Sequence, residues 1–190
     1  LIDRESEFYK SGAGREICYR DNTGAEFTEQ YRFTGQGTFL GDYNARTFVI
    51  ADTRSEIWRR MLLEWADRAR EYGANSVFYD QLGYGERATN WDLSREFPIP
   101  NLRVIADKAE VLKMIRDHNI RFDPEFALGT EWLTDVTAQY CDYIHIYQVT
   151  AGRYSFIDWF RYTFPEIIIS DREIRDDTDI ERRVNNTLLK

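Results

Sequence analysis

Apolar positions along the chain follow two alternating rhythms. Short runs rich in β-branched and aromatic residues occur at 47–51 (Thr-Phe-Val-Ile-Ala), 76–79 (Ser-Val-Phe-Tyr), 126–130, 143–148 and 166–170, and they read as strands. Stretches with apolar residues spaced by three and four lie between them. Ile57, Met61, Leu62, Trp65, Ala66 and Ala69 form one such stripe. Thr53 and Glu56 have the spacing of a capping box that would open this helix, and Gly73 supplies a left-handed stop. Asn101 is placed to cap a second helix with the stripe Leu102, Ile105, Ala109, Leu112 and Ile115. Phe156, Phe160 and Phe164 mark a third helical face that Pro165 ends, and Ile180, Val184 and Leu188 mark a fourth. Residues 26–33 allow one earlier strand.

Strand followed by helix, repeated, is the pattern of βα units around a parallel sheet. No strand-linked G-x-G-x-x-G or P-loop recommends a doubly wound nucleotide fold, so the expected architecture is a (β/α)8 barrel. Five βα units are legible in 190 residues, whereas a full barrel has eight strands and typically about 250 residues. The expectation is therefore one partial catalytic barrel over residues 1–190, without a second domain. The remainder of the same polypeptide would complete it.

Functional groups of a parallel βα fold gather just beyond the C-terminal ends of the strands. The residues leaving the five expected strands are Asp52, Asp80, Glu131, Gln148 and Asp171. Asp52 stands directly before Thr53 and a helix, which makes it a capping residue. Asp80 precedes a loop of some twenty residues containing Gly83, Gly85, Trp91, Pro98 and Pro100, so capping does not account for it. Glu131 is a poor capping type, and Trp132 beside it is placed to stack on a sugar or to desolvate an acid. Asp171 sits in Ser-Asp-Arg-Glu, where pairing with Arg172 or Arg175 competes with a functional role. Carboxylates on neighbouring strands suit glycoside hydrolysis, because strands lie about 4.8 Å apart and retaining enzymes hold their two carboxyls about 5–5.5 Å apart.

Composition narrows the classes further. A net charge of −8 with no clustered basic face argues against nucleic acid or an anionic membrane as partner, and no apolar run is long enough to span a bilayer. A Schiff-base aldolase needs a lysine at a strand end, and Lys10, Lys108, Lys113 and Lys190 fall elsewhere. Only two histidines are present, His118 on a helix and His145 in mid-strand, so no metal site and no cofactor are expected; His145 reads as an interior hydrogen-bonding residue. Cys18 and Cys141 do not form a disulfide framework. The 5 Trp, 12 Tyr and 12 Phe serve a core as readily as a sugar platform.

The runs Phe78-Tyr79-Asp80-Gln81-Leu82-Gly83-Tyr84, Thr130-Glu131-Trp132, Asp135-Val136-Thr137-Ala138-Gln139-Tyr140 and Phe160-Arg161-Tyr162-Thr163-Phe164-Pro165-Glu166 resemble a poorly characterised bacterial family of glycoside-hydrolase-like (β/α)8 barrels. That family is distantly similar to the retaining clan of α-amylases and endo-α-N-acetylgalactosaminidases. The resemblance spans nearly the whole chain and implies strands three to seven, with Asp80 as nucleophile after strand four, Glu131 as acid/base after strand five and Asp171 as stabiliser after strand seven. It also implies a carbohydrate substrate, met by Tyr79, Gln81, Tyr84, Trp91, Trp132 and Gln148. Phe78 and Ser170 stand where α-amylases carry Arg and His, which argues against amylase activity itself. An α-galactosidase-type enzyme would take its acid from an Asp after strand six, where this chain has Gln148. A catalytically silent carbohydrate-binding barrel would keep the aromatic residues Tyr84, Trp91 and Trp132 and need no carboxylate pair.

Overall fold

The computed structural model describes residues 1–31, 44–83, 89–95, 99–132, 134–146, 160 and 162–171. They fall into two compact units, one comprising Leu1–Leu62 and Glu86–Asp107, the other Leu63–Gly85 and Lys108–Lys190.

In the first unit the backbone groups around the apolar run 48–52 are engaged by the N-terminal segment. Tyr19 N–H donates to the Ile50 carbonyl at 2.8 Å, Asp52 N–H to Ile17 at 2.8 Å, and Ile50 N–H to Phe27 at 3.3 Å. Strand β3 (Phe48–Val49) consequently pairs antiparallel with both β1 (Ile2–Asp3) and β2 (Thr28–Glu29). This corrects the expectation of a first parallel βα strand over 47–51. A short apolar run buried on both faces has the same pattern in either kind of sheet. Two one-turn helices, α1 (Glu7–Lys10) and α2 (Ala13–Glu16), lie between β1 and β2. Tyr19, Ile50 and Val104 form a buried cluster with Leu1 and Phe27 packed against it.

Helix α3 (Glu56–Glu71) follows β3. Its cap is Ser55, whose Oγ accepts from Trp58 N–H at 3.4 Å, and not Thr53. Asp52 takes the N–H groups of Arg54 through its side chain and of Ser55 through its carbonyl, a turn that carries Thr53 inward. There the Thr53 hydroxyl is buried without a hydrogen-bond partner among the described residues. Ser55→Ala should lower stability by about 1 kcal/mol, while Thr53→Val should be neutral or stabilising because it removes an unsatisfied buried hydroxyl. Urea unfolding of the two variants checks the pair, and equal losses would restore Thr53 as the cap. The far end of α3 is as the sequence implies: Gly73 has φ of 82°, and Ala74 N–H closes back on the Ala69 carbonyl at 2.9 Å. The buried stripe runs through Trp58, Leu62 and Ala66, and Trp65 is 40% exposed.

Helix α4 (Val104–Asn119) starts three residues beyond Asn101. Asn101 Oδ1 accepts from Arg103 N–H at 2.9 Å, and Asn101 Nδ2 is held by Asp107. The buried residues of this helix include Val104, Lys108, Ala109, Val111, Leu112 and Ile115; of the expected stripe, Leu102 precedes the helix and is 78% exposed, and Ile105 is 38% exposed.

The second unit is built on a parallel sheet in the order β4 (Ser76–Tyr79), β5 (Ala127–Glu131), β6 (Tyr143–Ile146), β7 (Ile168–Asp171). Strands β5 and β7 each end one residue later than their patterns suggest, so Glu131 and Asp171 are the last strand residues and not the first loop residues. At the N-terminal edge, Asp142 donates its N–H to the Leu128 carbonyl at 2.8 Å, accepts from Leu128 N–H through Oδ2, and pairs with Arg116 of α4 at 2.8 Å. Its carbonyl also receives Ile168 N–H at 3.0 Å, so one residue ties the starts of three strands. Phe160, Tyr162 and Thr163 are helical, Phe164 N–H reaches the Phe160 carbonyl at 2.8 Å, and Pro165 follows. Mixed α/β structure with a parallel sheet is therefore present, and among the described residues no barrel closes. Phe156, residues 147–148 of the sixth-strand run and the helix bearing Ile180, Val184 and Leu188 lie outside the described residues.

Candidate functional site

Register places the two leading carboxylates at one level. Tyr79 is opposite Thr130, so Asp80, the next residue, leaves β4 where Glu131 ends β5. Asp80 is exposed, whereas Glu131 is 2% exposed. Each is followed by a left-handed non-glycine residue, Gln81 with φ of 60° and Trp132 with φ of 70°. The turn after Asp80 is clamped to β5: Thr130 Oγ1 donates to the Tyr79 carbonyl and accepts from Gly83 N–H, both at 2.8 Å. A methyl on Gly83 would meet the Glu131 carbonyl oxygen at 2.6 Å, so only glycine permits this approach. Lys108, buried on α4, donates from Nζ to the Gln81 carbonyl at 3.3 Å. A lysine does therefore reach this strand exit, from a helix, which reading only strand ends misses.

The period of two puts Phe78, Gly129, Glu131, Tyr143, His145, Ile168 and Ser170 on one face of the sheet. The Tyr143 ring lies over Gly129 and stacks on Phe78 with centroids 6.1 Å apart. The His145 ring meets Phe78 edge-on at 5.9 Å, and its Nδ1 is 2.9 Å from Ser170 Oγ. Glu131, His145 and Ser170 are register neighbours across three strands. Ser170 was legible only as a departure from an amylase pattern, since its partner is known once the register is.

Comparison with protein-family models and with curated proteins finds no match to this chain. The chemistry rests on the residues themselves.

Trp132 is partly exposed beside Glu131, and its N–H is fixed to the His145 carbonyl at 2.9 Å. Gln81 is half-buried in the turn after Asp80. Tyr79 is 6% exposed on the opposite face, next to Ala66 and Asp67 of α3; burial and then the Asp67 charge push its hydroxyl well above the usual tyrosine range. It is a packing residue. Trp91 belongs to the first unit, where its N–H donates to the Arg20 carbonyl at 2.8 Å. Asp171 closes β7 opposite Ile146, one place past the His145–Ser170 pair. Tyr84 and Gln148 lie outside the described residues. His118, on α4, is hydrogen-bonded through Nε2 to Asp67 Oδ1 at 2.7 Å. Both cysteines are buried and free, and burial pushes the Cys141 thiol up to about 12.

Asp52 is structural. It is 1% exposed, accepts from Asn90 Nδ2 at 3.3 Å and lies 3.7 Å from Arg95 Nε. Burial pushes its carboxyl above the ordinary value, with Asp107 adding to the shift and the Arg54 N–H and Arg95 opposing it. Between the unfolded value near 3.8 and the raised folded one, the folded state binds more protons. Stability from this group is therefore lost as pH rises through the folded pKa. Asp52→Asn should gain on the wild type as pH increases through that window, read from thermal midpoints; parallel curves would contradict it.

A cleft of about 460 Å³ in the first unit is lined by Glu16, Asp52, Arg54, Glu56, Ser94 and Arg95 among others, and one of about 320 Å³ in the second by residues including Glu110, Lys113, Asp117 and His118. Asp80 and Glu131 line neither of these two. Among the described residues no three His, Cys, Asp or Glu groups come close enough to hold a metal ion, and no helix is long and apolar enough to cross a membrane.

Proposed function

We propose that the C-terminal edge of the parallel sheet is a glycoside-cleaving site of retaining type. The observation that carries this reading is the shared level of Asp80 and Glu131 on adjacent parallel strands, one carboxyl in solvent and one buried. Strands spaced about 4.8 Å apart are compatible with the separation of about 5–5.5 Å at which one carboxylate attacks the anomeric carbon while the other protonates the leaving oxygen. Unlike surroundings are the condition under which two carboxyls take unlike roles. Glu131, withdrawn from water beside Trp132, is the acid that later activates water, and the solvent-facing Asp80 is the nucleophile. Asp171, at the end of β7, is the group assigned to stabilise oxocarbenium charge. Trp132 offers an aromatic surface to a sugar ring.

The barrel reading is part of the same proposal. The strand order β4-β5-β6-β7 follows the chain without reversal, as in singly wound barrels, whereas doubly wound sheets reverse at a switch point. Right-handed crossovers then place the helices on the Tyr79 face and leave the Phe78 face as the barrel interior.

The test is exposure of the protein to a panel of 2-deoxy-2-fluoroglycosides with activated leaving groups, followed by intact mass and peptide mapping. One glycosyl adduct on the peptide bearing Asp80 supports the assignment, and an adduct on another carboxylate moves it. Sugar binding without adduct or turnover would favour a silent carbohydrate-binding protein.

A further inference from the structure

Asp80 lies in a turn whose two flanking peptide planes are each held by a buried side chain from another element. Thr130, fully buried on β5, donates from Oγ1 to the Tyr79 carbonyl and accepts from Gly83 N–H, both at 2.8 Å. A hydroxyl carries one proton, which goes to the Tyr79 carbonyl and not to that of Glu131 at 3.5 Å. Lys108, 5% exposed on α4, donates from Nζ to the Gln81 carbonyl at 3.3 Å. A lysine is rarely buried without a partner, because burying its amino group is costly. Here the four-carbon stem carries that group from α4 to a carbonyl one residue beyond Asp80. The peptide planes entering Asp80 and leaving Gln81 are therefore both anchored, and only the two soft dihedrals of each residue lie between them. One of these is the left-handed φ of 60° at Gln81, which a residue with a Cβ does not hold by preference. Released from its anchor, Gln81 relaxes toward the right-handed region and the Asp80 Cα–Cβ bond swings with the peptide between them.

We propose that Lys108 is a positioning residue for Asp80: acting with Thr130, it locks the turn over residues 79–83 so that the Asp80 carboxyl is aimed before a substrate arrives. The catalytic part of this statement rests on the glycosidase reading above. Lys108 acts through the Gln81 carbonyl, and no proton transfer is asked of it.

Two substrate-free measurements test the clamp. The chain has four lysines, Lys10, Lys108, Lys113 and Lys190, and the side chains of Lys10 and Lys113 are 48% and 55% exposed. Proton–nitrogen spectra of the lysine amino groups should show a slowly exchanging signal that is lost in Lys108→Met. In that variant the Gly83 amide should exchange with deuterium about tenfold faster or more, while the Leu128 amide near the other end of β5 keeps its protection. Absence of a protected amino signal in the wild type overturns the clamp, and this arm needs no variant that folds. Gly83 exchange indifferent to the substitution overturns it as well. Equal losses at Gly83 and Leu128, with a parallel fall in Tm, would make Lys108 a support of the whole fold and overturn positioning.

In turnover, Lys108→Met should lower kcat about 10- to 100-fold with KM little changed, since misaiming a reacting group acts on the chemical step. Gln81→Gly should reduce that penalty in the double variant, because glycine takes a left-handed φ without a clamp. A defect confined to KM, or one that simply multiplies with that of Gln81→Gly, overturns the proposal. If the wild type cleaves no glycoside, the reaction reading falls, and the exchange measurements still decide whether Lys108 holds the Asp80 turn.

Discussion

Glu131→Gln should slow cleavage of an alkyl glycoside by about 10²- to 10⁴-fold, the range a positioned acid/base group contributes. The same variant should form a glycosyl adduct from an activated aryl fluoroglycoside almost as readily as the wild type, because a good leaving group needs no proton. Azide should then restore turnover by attacking the adduct in place of activated water. Asp80→Asn should differ in kind, eliminating adduct formation with every leaving group. The contrast follows from geometry: both residues occupy one register level, but Glu131 is buried at the end of β5 while Asp80 faces solvent. Initial rates with paired leaving groups, plus circular dichroism to confirm folding, decide it. Wild-type rates in either variant would sink the assignment, and identical defects in both would dissolve the division of roles.

Gly129→Ala should be the most damaging single methyl in the sheet. Its Cβ would lie 2.2 Å from two atoms of the Tyr143 ring, far inside contact distance. That ring is not free to swing aside, since it is stacked on Phe78 at an interplanar angle of 23°. Overpacking of this kind costs about 2–3 kcal/mol, equivalent to roughly 4–12 °C in Tm for a chain of this size. Removing the ring removes the clash, so Gly129→Ala with Tyr143→Ala should lose less than the two single variants together, by about 1–2 kcal/mol of coupling. Strict additivity would mean that the ring does not lie over the glycine.

Local pattern carried well where one segment determines its own state. Residues 76–79 are the strand Ser76–Tyr79, and the helix after residue 53 stops at Gly73 because only a left-handed residue closes that turn cheaply. It failed where the answer depends on a distant partner. The run 47–51 is apolar enough for any buried strand, and its antiparallel direction is set by Tyr19, Phe27 and Ile17, which take its backbone groups. The stripe proposed for α4 included Leu102 and omitted Lys108, because a lysine is not counted as core until its Nζ is seen on the Gln81 carbonyl. In the candidate site, Asp80 and Glu131 were legible from strand exits. The pairing of His145 with Ser170 was not, for it exists only through the register of two strands far apart in sequence.

The left-handed residues Gln81 and Trp132 have a consequence for how the site can diversify. Each such conformation costs a non-glycine residue roughly 1–2 kcal/mol, and each turns the chain aside within one residue of a carboxylate. Beyond that point a loop pulls on the turn and not on the strand. The sheet edge then serves as a fixed chassis and the loops as exchangeable walls, so segments of different length and shape can be grafted after Gly83, whose N–H is held by Thr130 Oγ1, or after Trp132 while the carboxylates keep their places.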